Sequence, residues 1–135
     1  MTIQNITWDD IDKFADQIVS YYKEKGIYPK GVYGIPRGGL VLAVILSHRL
    51  NVPFLGAPCK GCLIVDDISD SGDSLIHYNR MGYDIVTIVC KGTSKVKPMM
   101  YYTERIADWV HFPFESNLDN DTMEDATNYY EHKKG

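Results

Sequence analysis

The sequence predicts an α/β fold, a parallel sheet flanked by helices, and three observations carry that expectation. Short apolar runs that read as strands alternate with segments of helical periodicity. Two of those runs, Cys62-Leu63-Ile64-Val65 and Asp84-Ile85-Val86-Thr87-Ile88-Val89-Cys90, are apolar almost throughout, as strands covered on both faces require. Polar and glycine-rich residues gather just past the strands, where open α/β sheets hold their ligands.

The elements follow in order. Thr7-Trp8-Asp9-Asp10 supplies a cap and first-turn acids for a helix. Ile11, Phe14, Ile18, Val19 and Tyr22 recur at helical spacing, and Gly26 ends the run. Gly31 to Pro36 reads as a short strand closing in a turn. Gly38-Gly39 opens a second helix carrying Leu40, Val41, Val44, Ile45, Leu46 and Leu50. Val52 to Leu55 is a brief strand, and Gly56 to Gly61 a tight connection. The strand Cys62 to Val65 runs into acids, and Gly72-Asp73-Ser74 turns into a helix through Leu75, Ile76, Tyr78 and Met81. The strand Asp84 to Cys90 stops at Lys91. Residues 98–116, rich in Tyr, Trp, Phe and Pro, read as an irregular lid with one or two short strands. Residues 117–135 form a polar, initially acidic tail.

At 135 residues the chain is expected to form a single domain spanning 1–135. Its net charge of −4 argues against binding a nucleic-acid backbone, and Lys91, Lys95 and Lys97 are too small a cluster to reverse that. No apolar run approaches the ~20 residues that cross a bilayer. The N-terminus shows no secretory pattern, so the expected location is cytoplasmic, away from membranes. Cys59 and Cys62 have the spacing of a redox pair or of half a zinc site. No second Cys/His pair completes a zinc set, and reduced structural cysteines are the expectation.

Chemistry concentrates at three strand ends: Pro36-Arg37-Gly38-Gly39, the stretch Asp66 to Ser74, and Lys91-Gly92. The backbone N–H groups and hydroxyls of Ser71-Gly72-Asp73-Ser74 can cradle a phosphate, helped by the helix start that follows. Asp66 and Asp67 just upstream are hard oxygen ligands suited to ribose hydroxyls or to Mg²⁺. Together they describe a sugar phosphate held at both ends. Strand ending and helix capping would explain the Ser and Gly, but not three acids in five positions after four apolar residues.

Residues 62–74 resemble the signature of the type I phosphoribosyltransferases: four apolar residues, two acids, two mostly apolar positions and a phosphate loop. The surrounding pattern is similar to the xanthine–guanine and hypoxanthine branch, matched by Arg37-Gly38-Gly39, Lys91, Trp109 and Pro113-Phe114-Glu115. The likeness covers roughly residues 28 to 116. It implies Mg²⁺-dependent transfer of a phosphoribosyl group from phosphoribosyl pyrophosphate to a 6-oxopurine (hypoxanthine, guanine or xanthine) by a homo-oligomer, a dimer or tetramer. Asp66 and Asp67 would hold the ribose hydroxyls, with Asp67 nearer the metal. Asp70, Ser71, Gly72, Asp73 and Ser74 would bind the 5-phosphate, and Asp70 would also accept the proton of purine N7. Arg37 and Gly38 would hold the pyrophosphate, in a loop whose Pro36–Arg37 bond is the candidate for a cis peptide. Lys91 would donate to the 6-oxygen, Trp109 would cover the base and the Val110 backbone would read its 2-position.

The resemblance also implies a long mobile loop before the signature strand, and only Asn51 to Gly61 lies there. Closure would then fall to a partner subunit, to residues 93–104 or to the tail. A binding module of the same fold, holding a nucleotide or phosphoribosyl pyrophosphate without rapid catalysis, is the alternative. A phospho-acceptor receiver domain also pairs acids with a strand-end Lys, but its acids belong near the first strand. His48, His77, His111 and His132 show no ligand spacing.

Overall fold

The computed structural model describes residues 1–116, so the expected tail at 117–135 lies outside the described residues. The elements run β1 (Ile3–Asn5), α1 (Trp8–Lys25), β2 (Val32–Gly34), α2 (Leu40–Leu50) and β3 (Phe54–Leu55). Then come β4 (Leu63–Ser69), α3 (Ile76–Arg80), β5 (Asp84–Cys90), β6 (Met100–Glu104) and β7 (Trp109–His111). Five strands form one sheet in the order β3-β2-β4-β5-β6, every neighbouring pair parallel. The predicted fold class is the observed one.

The first helix forms where its sequence dictates. Thr7 accepts from the Asp10 N–H at 3.1 Å, and Asp10 accepts the Thr7 N–H at 2.9 Å, a reciprocal cap satisfying two otherwise orphaned donors. The same Asp10 carboxylate accepts the Tyr102 hydroxyl at 3.0 Å, tying the helix start to β6. Gly26 ends the helix in the left-handed region with φ of 69°. Its apolar stripe (Ile11, Phe14, Ile18, Tyr22) and Leu42 and Leu46 of α2 pack on Leu63, Val65, Val86 and Ile88. Ile64 and Ile85, one position out of phase, point to the opposite face and meet Leu75 and Val96. Burying each such side chain stabilises the fold by about 1.5–3 kcal/mol relative to exposing it. Tyr33, Tyr78 and Tyr83 complete the second face, where α3 is only a single turn and a half.

Two expectations are corrected and two strand pairings are new. β4 does not stop at Val65 but continues through the acids to Ser69, because β5 supplies ladder partners as far as Cys90. The helix expected from Gly72 begins at Ile76, after a turn in which the Leu75 and Ile76 N–H groups both donate to the Gly72 carbonyl. Residues 98–116 hold the two short strands expected of them, and each pairs outside the segment. Met100–Glu104 adds a strand to the edge of the main sheet, where its ladder groups are satisfied by β5. Trp109–His111 pairs in parallel with Ile3–Asn5, a strand the sequence did not announce. Among the described residues, no helix is long and apolar enough to cross a membrane.

Candidate functional site

The strand order brings the polar segments to one edge. β2 and β4 are neighbours, and the chain leaves them in opposite directions, toward β3 and toward β5. Such a reversal opens a crevice beyond the carboxyl ends of the two strands. The loop after β2 and the acids of β4 meet there closely: a Cβ built on Gly38 would lie 2.1 Å from Asp67 Oδ2. Only glycine lets the loop backbone rest against that carboxylate. The peptide bond between Pro36 and Arg37 is cis.

Two adjoining clefts occupy the crevice. The larger, about 530 Å³, has Arg37, Gly38, Asp67, Trp109 and His111 in its walls. The smaller, about 230 Å³, is walled by Asp67, Ile68, Asp70, Arg105, Trp109 and Val110. Asp67 and Trp109 belong to both, so the clefts form one trough with a carboxylate and an indole ring where they meet. Trp109 leaves 38% of its surface exposed, an apolar ring open to a flat ligand.

Asp66 lies buried beside Asp67. Its Oδ1 accepts the Asp67 N–H at 2.9 Å, while Asp67 Oδ1 accepts the Ile68 N–H at 2.8 Å. Burial, and then the charge of Asp67 alongside, push the Asp66 carboxyl up to about 8. A pair in which one member resists ionisation is suited to a divalent cation or to hydroxyl donors, either of which relieves the repulsion.

The loop from Asp70 to Ser74 is held from behind. Ser69 Oγ lies 2.7 Å from Ser94 Oγ and donates to the Val96 carbonyl at 2.7 Å. The Lys95 N–H donates to the Ser71 carbonyl at 3.0 Å. Gly72 takes φ of +90°, and a Cβ there would press on Val96 N at 2.8 Å. The cradle is therefore shaped before any ligand enters, by loop packing more than by the short helix that follows. Lys95 Nζ reaches Asp73 Oδ1 at 2.7 Å, and with Ser71 it holds that carboxyl below its ordinary range.

The structure thus gathers Arg37, Gly38, Asp67, Asp70, Trp109 and Val110 around one crevice, with the 71–74 loop following β4, while Asp66 is buried beside Asp67 and lines neither cleft. Lys91 stands apart from both clefts. It is exposed at the end of β5, its N–H donating to the Ser69 carbonyl at 2.8 Å. Arg105, just past the end of β6, was not picked out by the sequence and lines the smaller cleft, where Nη1 donates to Asp70 Oδ1 at 2.7 Å. Position alone could have found it: Met-Tyr-Tyr-Thr-Glu is strand-forming, and the residue after a strand belongs to the ligand edge. Cys59 is exposed and Cys62 buried, and all three cysteines are free.

No family model matches the chain. Over 139 residues it is 25% identical to xanthine-guanine phosphoribosyltransferase of Nitratidesulfovibrio vulgaris, spanning 84% of this chain and 85% of that protein. The fold superimposes with a TM-score of 0.73 on purine phosphoribosyltransferase from Pyrococcus horikoshii, at 26% identity over 88% of this chain and 98% of the other. The xanthine-guanine-hypoxanthine phosphoribosyltransferase of Helicobacter pylori gives the same TM-score at 16% identity, covering 94% and 98% of the two chains, a likeness of fold.

Proposed function

We propose that the chain is a type I phosphoribosyltransferase of the xanthine–guanine and hypoxanthine branch, and that its crevice works accordingly. It moves the phosphoribosyl group of phosphoribosyl pyrophosphate onto N9 of a 6-oxopurine, releasing pyrophosphate, a step of purine salvage. The observation that carries this reading is the trough itself: the Gly38 backbone against Asp67, and Asp70 lining the same smaller cleft as Trp109.

The 5-phosphate sits in the loop Asp70 to Ser74, whose close packing on Ser94 and Val96 fixes its N–H groups in advance. The ribose hydroxyls fall to Asp66 and Asp67, and the pyrophosphate to Arg37 and the Gly38 backbone. Asp67, with Asp66 beside it, would hold Mg²⁺, which supplies positive charge for the departing pyrophosphate. As the anomeric C–O bond breaks, the ribose gains oxocarbenium character, as in glycoside hydrolysis. The base lies under Trp109 against Ile68 and Val110, and its N7 proton is held by Asp70. Much of the rate then comes from placing N9 against the anomeric carbon. No side-chain nucleophile is needed.

The short Asn51–Gly61 interval, which holds only two strand residues and a turn, favours a second reading: a binding module with slow turnover. One assay separates the two. The protein is incubated with Mg²⁺, phosphoribosyl pyrophosphate and each of hypoxanthine, guanine, xanthine and adenine, and nucleotide and pyrophosphate are quantified. Nucleotide from a 6-oxopurine and not from adenine supports transfer. Tight ligand binding without either product supports the module.

A further inference from the structure

Arg105 occupies a position for which the transfer reading has no use. Its guanidinium is fixed on three sides: Nε donates to the Ala107 carbonyl at 3.1 Å, Nη2 to the Asp108 carbonyl, and Nη1 to Asp70 Oδ1. The side chain is 21% exposed, and Arg105 lines the smaller cleft together with Trp109. Gln4 braces the same turn, donating to the Glu104 carbonyl at 3.0 Å and accepting the Ile106 N–H at 3.0 Å. A guanidinium has five N–H donors. Three make these contacts, and the other two have no partner among the described residues. Asp70 gives Oδ1 to Arg105 and keeps Oδ2 free of any hydrogen bond among the described residues.

The cleft is therefore lined by a carboxylate with one oxygen open and by the guanidinium that holds its other oxygen. A 6-oxopurine protonated at N7 presents the complementary edge, a donor at N7 next to an acceptor at O6. The two atoms are close enough that one guanidinium spans both in guanine recognition. Adenine places an amino group where the oxygen would be, so donor would face donor and a buried N–H would go unpaired. Resting on the transfer reading above, we infer that Arg105 is the residue of this chain that receives the base's 6-oxygen, the role the resemblance gives to Lys91. Lys91 lies exposed outside both clefts. Arg105 thus selects oxopurines directly, besides steadying Asp70.

The test compares hypoxanthine with unsubstituted purine, which keeps N7 and lacks the 6-oxygen, in wild type, Arg105→Met, Arg105→Lys and Lys91→Met. In Arg105→Met, kcat/KM for hypoxanthine is expected to fall about 10- to 100-fold, the loss of a charged hydrogen bond, and substantially further than for purine. Arg105→Lys recovers part of that selectivity, and an unchanged KM for phosphoribosyl pyrophosphate certifies an intact fold. An equal fall for both bases would overturn the inference, leaving Arg105 only a support for Asp70. So would a selective loss of hypoxanthine in Lys91→Met with Arg105→Met unselective. Calorimetric binding of inosine 5′-monophosphate against purine ribonucleoside 5′-monophosphate reads the same selectivity without turnover. An inactive wild type would therefore sink the transfer reading while the Arg105 assignment was still decided by the binding difference.

Discussion

Asp70 can meet a base through one oxygen because Arg105 holds the other at 2.7 Å. Asp70→Asn removes the proton acceptor at N7 while keeping the side chain's shape. Its kcat is expected to fall about 10²- to 10⁴-fold, with KM for phosphoribosyl pyrophosphate little changed, in steady-state kinetics. At the other end of the trough, Gly38→Ala puts a methyl group 2.1 Å from Asp67 Oδ2, so the carboxylate or the loop must move. KM for phosphoribosyl pyrophosphate is expected to rise on the order of tenfold, since placement of its pyrophosphate is what the loop supplies. Asp66 gives a pH-dependent outcome. Its carboxyl, raised to about 8 by burial and by Asp67, binds a proton in the folded state between about pH 4 and that value, where the unfolded chain has lost it. Stability without ligand must fall as pH rises through that window and level off above it. Asp66→Asn removes that dependence and exceeds the parent at pH 8 but not at pH 5, read from denaturation midpoints at the two values.

At the scale of elements, the segment that covers the base end is held by the start of the chain. β1 pairs with β7, Trp109 N–H donates to the Thr2 carbonyl at 3.1 Å, and Asp108 accepts from the Thr2 N–H at 3.0 Å. Gln4 brackets Arg105 from both sides. Gln4→Ala releases that bracket at a cost of about 1 kcal/mol in stability. KM for the base is expected to rise several-fold while KM for phosphoribosyl pyrophosphate holds, because the 70–74 loop is braced separately by Ser94 and Val96. A parallel rise in both KM values would contradict this division of labour.

At the scale of the molecule, two helices pack on one face of the sheet, and the described residues leave the ligand edge lightly covered. Between α2 and β4 there is only β3 and a turn, in which Cys62 N–H donates to the Cys59 carbonyl at 3.1 Å. Arg37, Ser71, Asp73 and Trp109 are all exposed. Closing segments exclude water from reactive intermediates, and this interval is too short to do so. Phosphoribosyl pyrophosphate and Mg²⁺ without any base are therefore expected to release pyrophosphate measurably, seen in a coupled phosphate assay. Absence of that leak would mean that another segment shields the anomeric carbon.

Much of this was legible in the residues. The cap at Thr7, the end at Gly26, the limits of β5 and the run from Asp66 to Ser74 all rest on short-range chemistry: side-chain caps, apolar continuity and loop glycines. The acids at 66 and 67 and the loop that follows marked the site because no structural need explains them together. The sequence alone therefore determined the fold class, the order of most elements and the stretch whose Asp67 and Asp70 line the crevice. Only the tertiary structure decided that β4 runs on through its acids, that Met100–Glu104 joins the sheet and that the first residues brace Trp109. It also decided that Arg105, not a member of any motif, stands against Asp70. Those outcomes depend on register and on pairings up to 106 residues apart, and local propensity carries no information about which distant strand will satisfy a given backbone group.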